Sequence, residues 1–250
     1  MGDRFDVVIA GAGTGGAMLA KKVAESGYRT ALVDCKSKNS IGYPWIVAIE
    51  KPVFDFICRK LPPANSCEES PDTYHFFAEK PDRYVEMDAA DASVFYIRHA
   101  ALNQQILDEA IQAGVQFYPE HRVETLELFN ETVTGVSGRT GRGILSRKFV
   151  LSGKIIVDAT GSERTLIRQM PTSSMILSKI DDTDRAIACQ EEYKVDPERI
   201  MELGLEPGVY NASIGKYHAF QVTYLKKSDI LHLLFGAAYN DLSGNENICH

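Results

Sequence analysis

Gly11, Gly13 and Gly16 stand in the spacing G-x-G-x-x-G directly behind the apolar run Val7 to Ala10, and Asp34 closes the next apolar run, Thr30 to Val33. A strand that ends in this pattern makes its tight turn at Gly11, lets a diphosphate approach the backbone at Gly13, and lets the following helix pack on the strand at Gly16. A carboxylate one strand over, at Asp34, accepts hydrogen bonds from both hydroxyls of an adenosine ribose and repels a 2′-phosphate, so FAD or NAD is selected over NADP. The helix Thr14 to Ser26, ended by Gly27, points its free N–H groups at the phosphates, and Met18, Leu19 and Val23 form its apolar stripe.

The elements that position these residues follow a strand-and-helix alternation. After Asp34 the chain is polar to Ser40, turn-forming and aromatic through Ile41 to Trp45, and helical from Val53 to Leu61, where Pro62 and Pro63 stop it. Tyr74 to Phe77 and Tyr84 to Met87 read as strands separated by the polar turn Glu79 to Arg83. A second helix opens at Arg98, carries Leu102, Ile106, Leu107, Ala110 and Ile111 on one stripe and is capped by Gly114 before the strand Val115 to Tyr118. Arg122 to Leu128, Thr132 to Ser137 and Lys148 to Ser152 predict a small antiparallel meander, within about 121–152, inserted between parallel strands. Lys154 to Gly161 repeats the opening logic: a buried strand, a glycine turn, and Ser162 as cap of a helix from Glu163 to Gln169. Beyond Pro171, the alternating runs Ala186 to Tyr193, Phe220 to Leu225 and Ile230 to Phe235 predict an antiparallel sheet. Asp196-Pro197 starts one short helix there, Lys226 to Asp229 makes a hairpin turn, and Asn240 to His250 frays.

The fold class is therefore α/β: a Rossmann-type dinucleotide-binding domain with a parallel sheet and inserted antiparallel meander, plus an incomplete antiparallel-sheet substrate domain. The first is predicted over 1–71 and 97–171, the second over 72–96 and 172–250. With 44% hydrophobic residues and no apolar run of membrane-spanning length, the chain reads as soluble. It enters its first strand with no leader, and its five cysteines (Cys35, Cys58, Cys67, Cys189, Cys249) are odd in number, widely spaced and without a Cys-x-x-Cys pair. That usage argues against a disulfide framework and against a metal site, and it points to a reducing cytoplasm. The net charge of −7 gives no sign of nucleic-acid binding, and Arg139, Arg142, Arg147 and Lys148 read as a solvated loop face.

The ordered set of Gly11-x-Gly13-x-x-Gly16, Asp34, Arg98 at a helix start, the meander and Val157-Asp158-Ala159-Thr160-Gly161 resembles the FAD-dependent oxidoreductases of the glutathione-reductase fold. Within them it looks most like the branch of geranylgeranyl reductases, lycopene cyclases and aromatic hydroxylases, from residue 5 to about 170. The resemblance implies that Gly11, Gly13 and Gly16 contact the FAD diphosphate, that Asp34 holds the adenosine ribose and that Lys36 flanks the adenine. It implies further that Arg98 reaches the cofactor from its helix start, that the backbone of Val123 meets the adenine ring, and that Ala159 and Gly161 pass close to the cofactor. Asp158 is either part of that site or the acceptor of neighbouring loop amides. Tyr43 and Trp45 lie where the family's flavin-facing loop begins, or simply pack.

The implied activity is FAD-dependent oxidation–reduction of a hydrophobic, polyprenyl-like substrate lying on aromatic side chains such as Phe76, Phe77, Tyr84, Tyr96, Phe220 and Tyr224, unless these fill an ordinary core. Hydroxylation of an aromatic ring is the competing enzymatic outcome. No catalytic acid or base is assigned, because none of the histidines sits at a nucleophile spacing. Geranylgeranyl reductases carry a cysteine–glycine pair soon after the second strand and an aromatic-proline signature in the substrate domain, whereas Ile41 to Glu50 has no cysteine and residues 205–250 show no such signature. Relatives also continue past the hairpin at 220–236 and return to the flavin with a Gly-Asp motif near a second helix N-terminus, which is not found after that hairpin here. The expectation is a fragment, one half of a split enzyme completed by a partner polypeptide or by self-association, or a non-catalytic dinucleotide-binding subunit.

Overall fold

A computed structural model describes residues 4–58, 60–68, 70–77, 83–89, 94–141, 145–170, 180–181, 184–214 and 218–238. The predicted turn at 79–83, Arg142, Pro171, Cys249 and the terminal stretch 240–250 lie wholly or mainly outside them. In chain order the helices and strands are β1 (Arg4–Ala10), α1 (Thr14–Glu25), β2 (Thr30–Val33), β3 (Ile46–Glu50), α2 (Lys51–Ile57), β4 (Cys67–Glu68), β5 (Thr73–Phe77), β6 (Tyr84–Asp88) and β7 (Val94–Arg98). They continue as α3 (His99–Gln112), β8 (Gln116–Tyr118), β9 (His121–Phe129), β10 (Thr132–Thr140), β11 (Arg147–Asp158), β12 (Ala186–Lys194), α4 (Pro197–Glu202), β13 (Val209–Ile214), β14 (His218–Leu225) and β15 (Ile230–Ala238).

The described residues within 1–44, 55–63 and 98–179 form one compact unit, and those within 45–54, 64–97 and 180–250 a second. Segments 45–54 and 64–71, assigned by sequence to the first domain, thus lie in the second unit. The cause is strand pairing: β3, β7 and β4 make a small sheet of their own, and Ile46 packs with Tyr96 and Leu225.

The first unit is a six-stranded sheet ordered β8-β2-β1-β11-β10-β9. Its first four strands are parallel neighbours and its last three antiparallel. The third meander strand and the late parallel strand, read from sequence as separate elements, are one strand, β11. Ser152 pairs with Gly135 on one side and Arg4 on the other, so the two ladders overlap at the residue where the sequence suggested a break. At Gly153 a Cβ would stand 2.8 Å from Val8 Cγ2, which is why the glycine marks close packing rather than a turn.

Helix α1 buries Gly16, Ala17, Ala20 and Lys21, not the stripe Met18, Leu19 and Val23, and Leu19 is exposed. Small residues let α1 approach α3 closely, and α3 answers with Leu102, Asn103, Ile106, Leu107, Glu109 and Ala110. Lys21 is accommodated there by Glu109 Oε2 at 2.5 Å and the carbonyl of Ile57 at 2.8 Å. Residues 163–169 form no helix; two 3-10 turns, Gly161–Glu163 and Ile167–Gln169, stand in its place, and Ser162 caps neither.

The second unit holds the sheet β12-β15-β14-β13-β5-β6. It is antiparallel except for β13 and β5, which run parallel, so the expected all-antiparallel sheet is a mixed one. The Lys226-to-Asp229 turn joins β14 to β15, and Asp196 caps α4 by accepting from Glu198 N at 3.0 Å.

Candidate functional site

Strand order fixes where a ligand can lie in the first unit. The chain leaves β1 toward β2 on one side, while β11 lies on the other, so the carboxyl ends of β1 and β11 flank a topological switch point. Gly11 closes β1 and Ala159 follows β11. Their backbones are stitched by Ala159 N–H donating to Ala10 O at 2.8 Å and Gly11 N–H donating to Val33 O at 2.7 Å.

The three glycines divide into two kinds. A Cβ on Gly11 would lie 2.2 Å from the carbonyl oxygen of Ala159, with φ at +104°, and one on Gly16 would lie 1.9 Å from the carbonyl oxygen of Gly11. These two are closed by protein. A Cβ on Gly13 meets nothing within 4 Å. Gly13 is also the N-cap of α1, with no side chain capping it and no acidic residue in the first turn. The helix amides and the positive end of its dipole thus face open space at the one glycine where the motif requires a phosphate, so these residues fit a dinucleotide diphosphate.

Asp34 is turned into this turn. Its Oδ2 accepts from Ala12 N at 2.7 Å and its Oδ1 from Lys36 N at 2.8 Å. A carboxylate offers about four acceptor positions, so these bonds aim it without exhausting it. The Lys36 ammonium lies 4.9 Å from the centre of the Tyr43 ring. Val123 enters the neighbourhood through β9, whose start is tied to the loop after β2 by Glu120 N to Lys36 O at 3.0 Å and His121 N to Asp34 O at 2.9 Å. Its side chain packs on the core of Phe5, Val8 and Val136.

Asp158 serves its own loop. Oδ1 accepts from Thr160 N at 3.0 Å and Thr160 Oγ1 at 2.6 Å, and Oδ2 from Leu166 N and Ile167 N at 2.9 Å each. Burial raises its pKa, but these four donors outweigh burial and hold the carboxyl below its ordinary value. Gly161, at φ +69°, has open space where a Cβ would stand, as the close passage of a ligand requires.

Arg98 is the extended N-cap of α3, and the residue of that helix start that meets the glycine turn is its neighbour His99. His99 Nε2 lies 2.8 Å from Thr14 Oγ1, Thr14 Oγ1 donates to Asn103 Oδ1 at 2.8 Å, and Asn103 Nδ2 donates to Ala12 O at 3.0 Å. Neither His99 nor Asn103 was singled out from the sequence. The available signal was Asn103, a polar residue interrupting the apolar stripe of α3.

In the second unit the six aromatic candidates do not share a surface. Phe77, Tyr84 and Phe220 form one row across β5, β6 and β14 through Ser213, and Tyr224 lies on that face by strand alternation. Phe76 points to the opposite face with Tyr74 and Tyr210, where Tyr96 packs. Burial first, then its bond to Tyr74, pushes the Tyr96 phenol up, and burial pushes Tyr210 up to about 12. Among the described residues no group of three His, Cys, Asp or Glu is placed to hold a metal ion, and no helix is long and apolar enough to cross a membrane.

Strand order, the glycine turn and the Asp34 carboxylate turned into it together define an α/β fold of the FAD-binding flavoprotein kind. No family model matches the chain. It is 26% identical over 199 residues to a digeranylgeranylglycerophospholipid reductase of Sulfolobus acidocaldarius, covering 75% of this chain and 41% of that protein. It is 26% identical over 212 residues to a probable electron transfer flavoprotein-quinone oxidoreductase of Escherichia coli, covering 79% and 45%. The chain thus spans less than half the length of the curated relatives it matches. Among solved structures, a geranylgeranyl bacteriochlorophyll reductase-like protein of Thermoplasma acidophilum superposes with a TM-score of 0.77 at 16% identity over 96% of this chain and 58% of that one. A variant of the halogenase PltM in complex with FAD superposes with a TM-score of 0.61 at 14% identity, over 96% and 52%. The resemblance read from the motifs therefore holds: the fold is that of the geranylgeranyl reductase-like and halogenase-type flavoproteins.

Proposed function

We propose that the chain is the FAD-binding part of an oxidoreductase of the geranylgeranyl reductase type, acting on a hydrophobic, polyprenyl-like substrate. The observation that carries this is the open front of Gly13 between two glycines sealed by backbone, with Asp34 aimed into the same turn. Gly11, Gly13, Gly16 and the first amides of α1 hold the diphosphate; Asp34 holds the ribose, with Lys36 and the backbone of Val123 beside the adenine. Arg98, Ala159 and Gly161 line the approach, while Asp158 keeps the 159–167 loop in place. Bound FAD supplies two-electron transfer, and the chain contributes orientation and the exclusion of water. The curated relative of Sulfolobus acidocaldarius supports the substrate class. The division into two units corresponds to cofactor and substrate parts, and the free thiols of Cys35 and Cys58 suit a cytoplasmic protein.

A second reading, in which another polypeptide completes the protein, is favoured by β11. Strand β10 leaves it at Ser152, so residues 153–158 have β1 on one side and, among the described residues, no strand on the other.

The test is to purify the chain, titrate it with FAD and reduce it anaerobically with dithionite. Reoxidation of the bound flavin by a geranylgeranyl lipid, with a saturated product, supports the reductase. Reoxidation that needs dioxygen and hydroxylates an aromatic compound supports the monooxygenase class instead. A protein that takes up AMP or NAD but no flavin refutes both and leaves the binding subunit.

A further inference from the structure

Around His99 one donor that cannot reverse sets the direction of every hydrogen bond. The backbone N–H of Tyr43 points at His99 Nδ1 at 3.1 Å, so Nδ1 carries no proton and the neutral ring holds its proton on Nε2. Nε2–H then donates to Thr14 Oγ1 at 2.8 Å, the Thr14 hydroxyl donates to Asn103 Oδ1 at 2.8 Å, and the Asn103 amide donates to Ala12 O at 3.0 Å. The four bonds run one way, from the 41–44 turn through the first turns of α3 into the phosphate turn before α1. Asn103 is wholly buried, and both ends of its amide are engaged. The 38–44 segment has little freedom to adapt. Gln104 Nε2 donates to the carbonyls of Lys38 and Ile41 at 2.6 and 3.1 Å, and a Cβ on Gly42 would stand 2.6 Å from Ala100 Cα.

We propose that His99 is a positioning residue that sets the phosphate turn through Thr14 and makes dinucleotide binding fall off in acid. This rests on the assignment of that turn to the FAD diphosphate. A second proton on the ring must sit on Nδ1, opposite the Tyr43 N–H, where it replaces a hydrogen bond with two opposed donors. Either the ring leaves Thr14 or the 41–44 turn leaves the ring. The groups facing the imidazole are Thr14 of α1, the backbone N–H and ring of Tyr43, its centroid 5.6 Å away, and the Lys36 ammonium from the loop after β2. None of these is a carboxylate that would offset the added charge. Burial first, then Lys36, holds the imidazole below its ordinary 6.5, so the relay is intact at neutral pH.

The experiment uses the full chain, wild type and His99→Gln, with FAD affinity measured calorimetrically from about pH 8 to about pH 5. A glutamine accepts from Tyr43 N–H through Oε1 and donates to Thr14 through Nε2 at every pH. The wild type is expected to lose about three- to tenfold in affinity on acidification, as one broken hydrogen bond gives. His99→Gln is expected to hold a flat profile near the neutral wild-type value. Long-range 15N NMR of the cofactor-free wild type is expected to show the Nε2-protonated tautomer at neutral pH. An Nδ1-protonated ring, an imidazolium at neutral pH, or the same acid loss in His99→Gln overturns the role of His99. So does a wild type that binds FAD with a flat profile, which leaves the phosphate-turn assignment standing. A chain that binds FAD at no pH in either form overturns that assignment and the His99 coupling together.

Discussion

One methyl group has opposite consequences at Gly13 and at Gly16. At Gly13, φ −62° and ψ 177° suit any L residue, and a Cβ meets nothing within 4 Å. Gly13→Ala gains about 0.4–1 kcal/mol from a stiffer unfolded chain. Alanine is a poorer N-cap than glycine by about 0.5–1 kcal/mol, so the two effects nearly offset. The midpoint of thermal unfolding should therefore stay within about 3 °C of wild type. The same methyl projects into the place a diphosphate must occupy, where crowding costs about 1–3 kcal/mol, which is about 5- to 150-fold in Kd for FAD. At Gly16 a Cβ would stand 1.9 Å from the Gly11 carbonyl oxygen and 3.2 Å from Ala159 Cβ. Neither neighbour is a flexible chain end, so α1 must move off β1, and Gly16→Ala should lose at least about 2–3 kcal/mol of stability before any cofactor is added. Thermal unfolding of the cofactor-free variants and calorimetric titration with FAD give the two numbers for each. A Gly13→Ala protein that binds FAD with wild-type affinity refutes the phosphate cradle. One that unfolds as early as Gly16→Ala refutes the division of the glycines into two kinds.

Three other outcomes follow from the buried polar groups. Asp158→Ala removes the acceptor of four donors and should cost about 2–3 kcal/mol in urea unfolding. Because the folded pKa of Asp158 lies below the ordinary 3.8, its contribution is complete above that value and disappears as pH falls through the folded pKa; Asp158→Asn should flatten that part of the acid-stability curve. Glu109→Ala strands the Lys21 ammonium, only 2% exposed, and should cost about 3–5 kcal/mol, most of which the double change Lys21→Met, Glu109→Leu should restore. Cys58 is buried, and burial followed by Glu109 pushes its thiol up to about 11, whereas Cys35 is exposed. Iodoacetamide followed by peptide mass spectrometry should find Cys35 alkylated in the native chain and Cys58 only after denaturation, and equal labelling would refute the packing of α1 against 55–58.

What the sequence revealed and what it hid divide along contact range. The glycine turn, the end of β2 at Asp34, the start of α3 at Arg98 and the Asp196 cap are written within a few residues, because turns and caps are chosen by local backbone geometry. The buried face of α1 is not. Gly16, Ala17 and Ala20 look like the weak side of an amphipathic helix, and Lys21 looks like solvent. They are interior because Glu109, separated by 88 positions, sits on the helix opposite. β11 misled for the same reason: Ser152-Gly153 reads as a turn until Arg4 and Gly135 hold it from both sides. His99 and Asn103 extend the point to function. Their spacing puts them on one face of α3, but only the arrival of Thr14, separated from Asn103 by 89 positions, turns two polar residues on a helix into a directed relay. A polar residue on a buried stripe therefore means that a partner exists elsewhere in the chain. Thr14 opens α1 directly behind the glycine turn, so under the proposed assignment of that turn to the diphosphate the His99→Gln profile bears on binding as well as on packing.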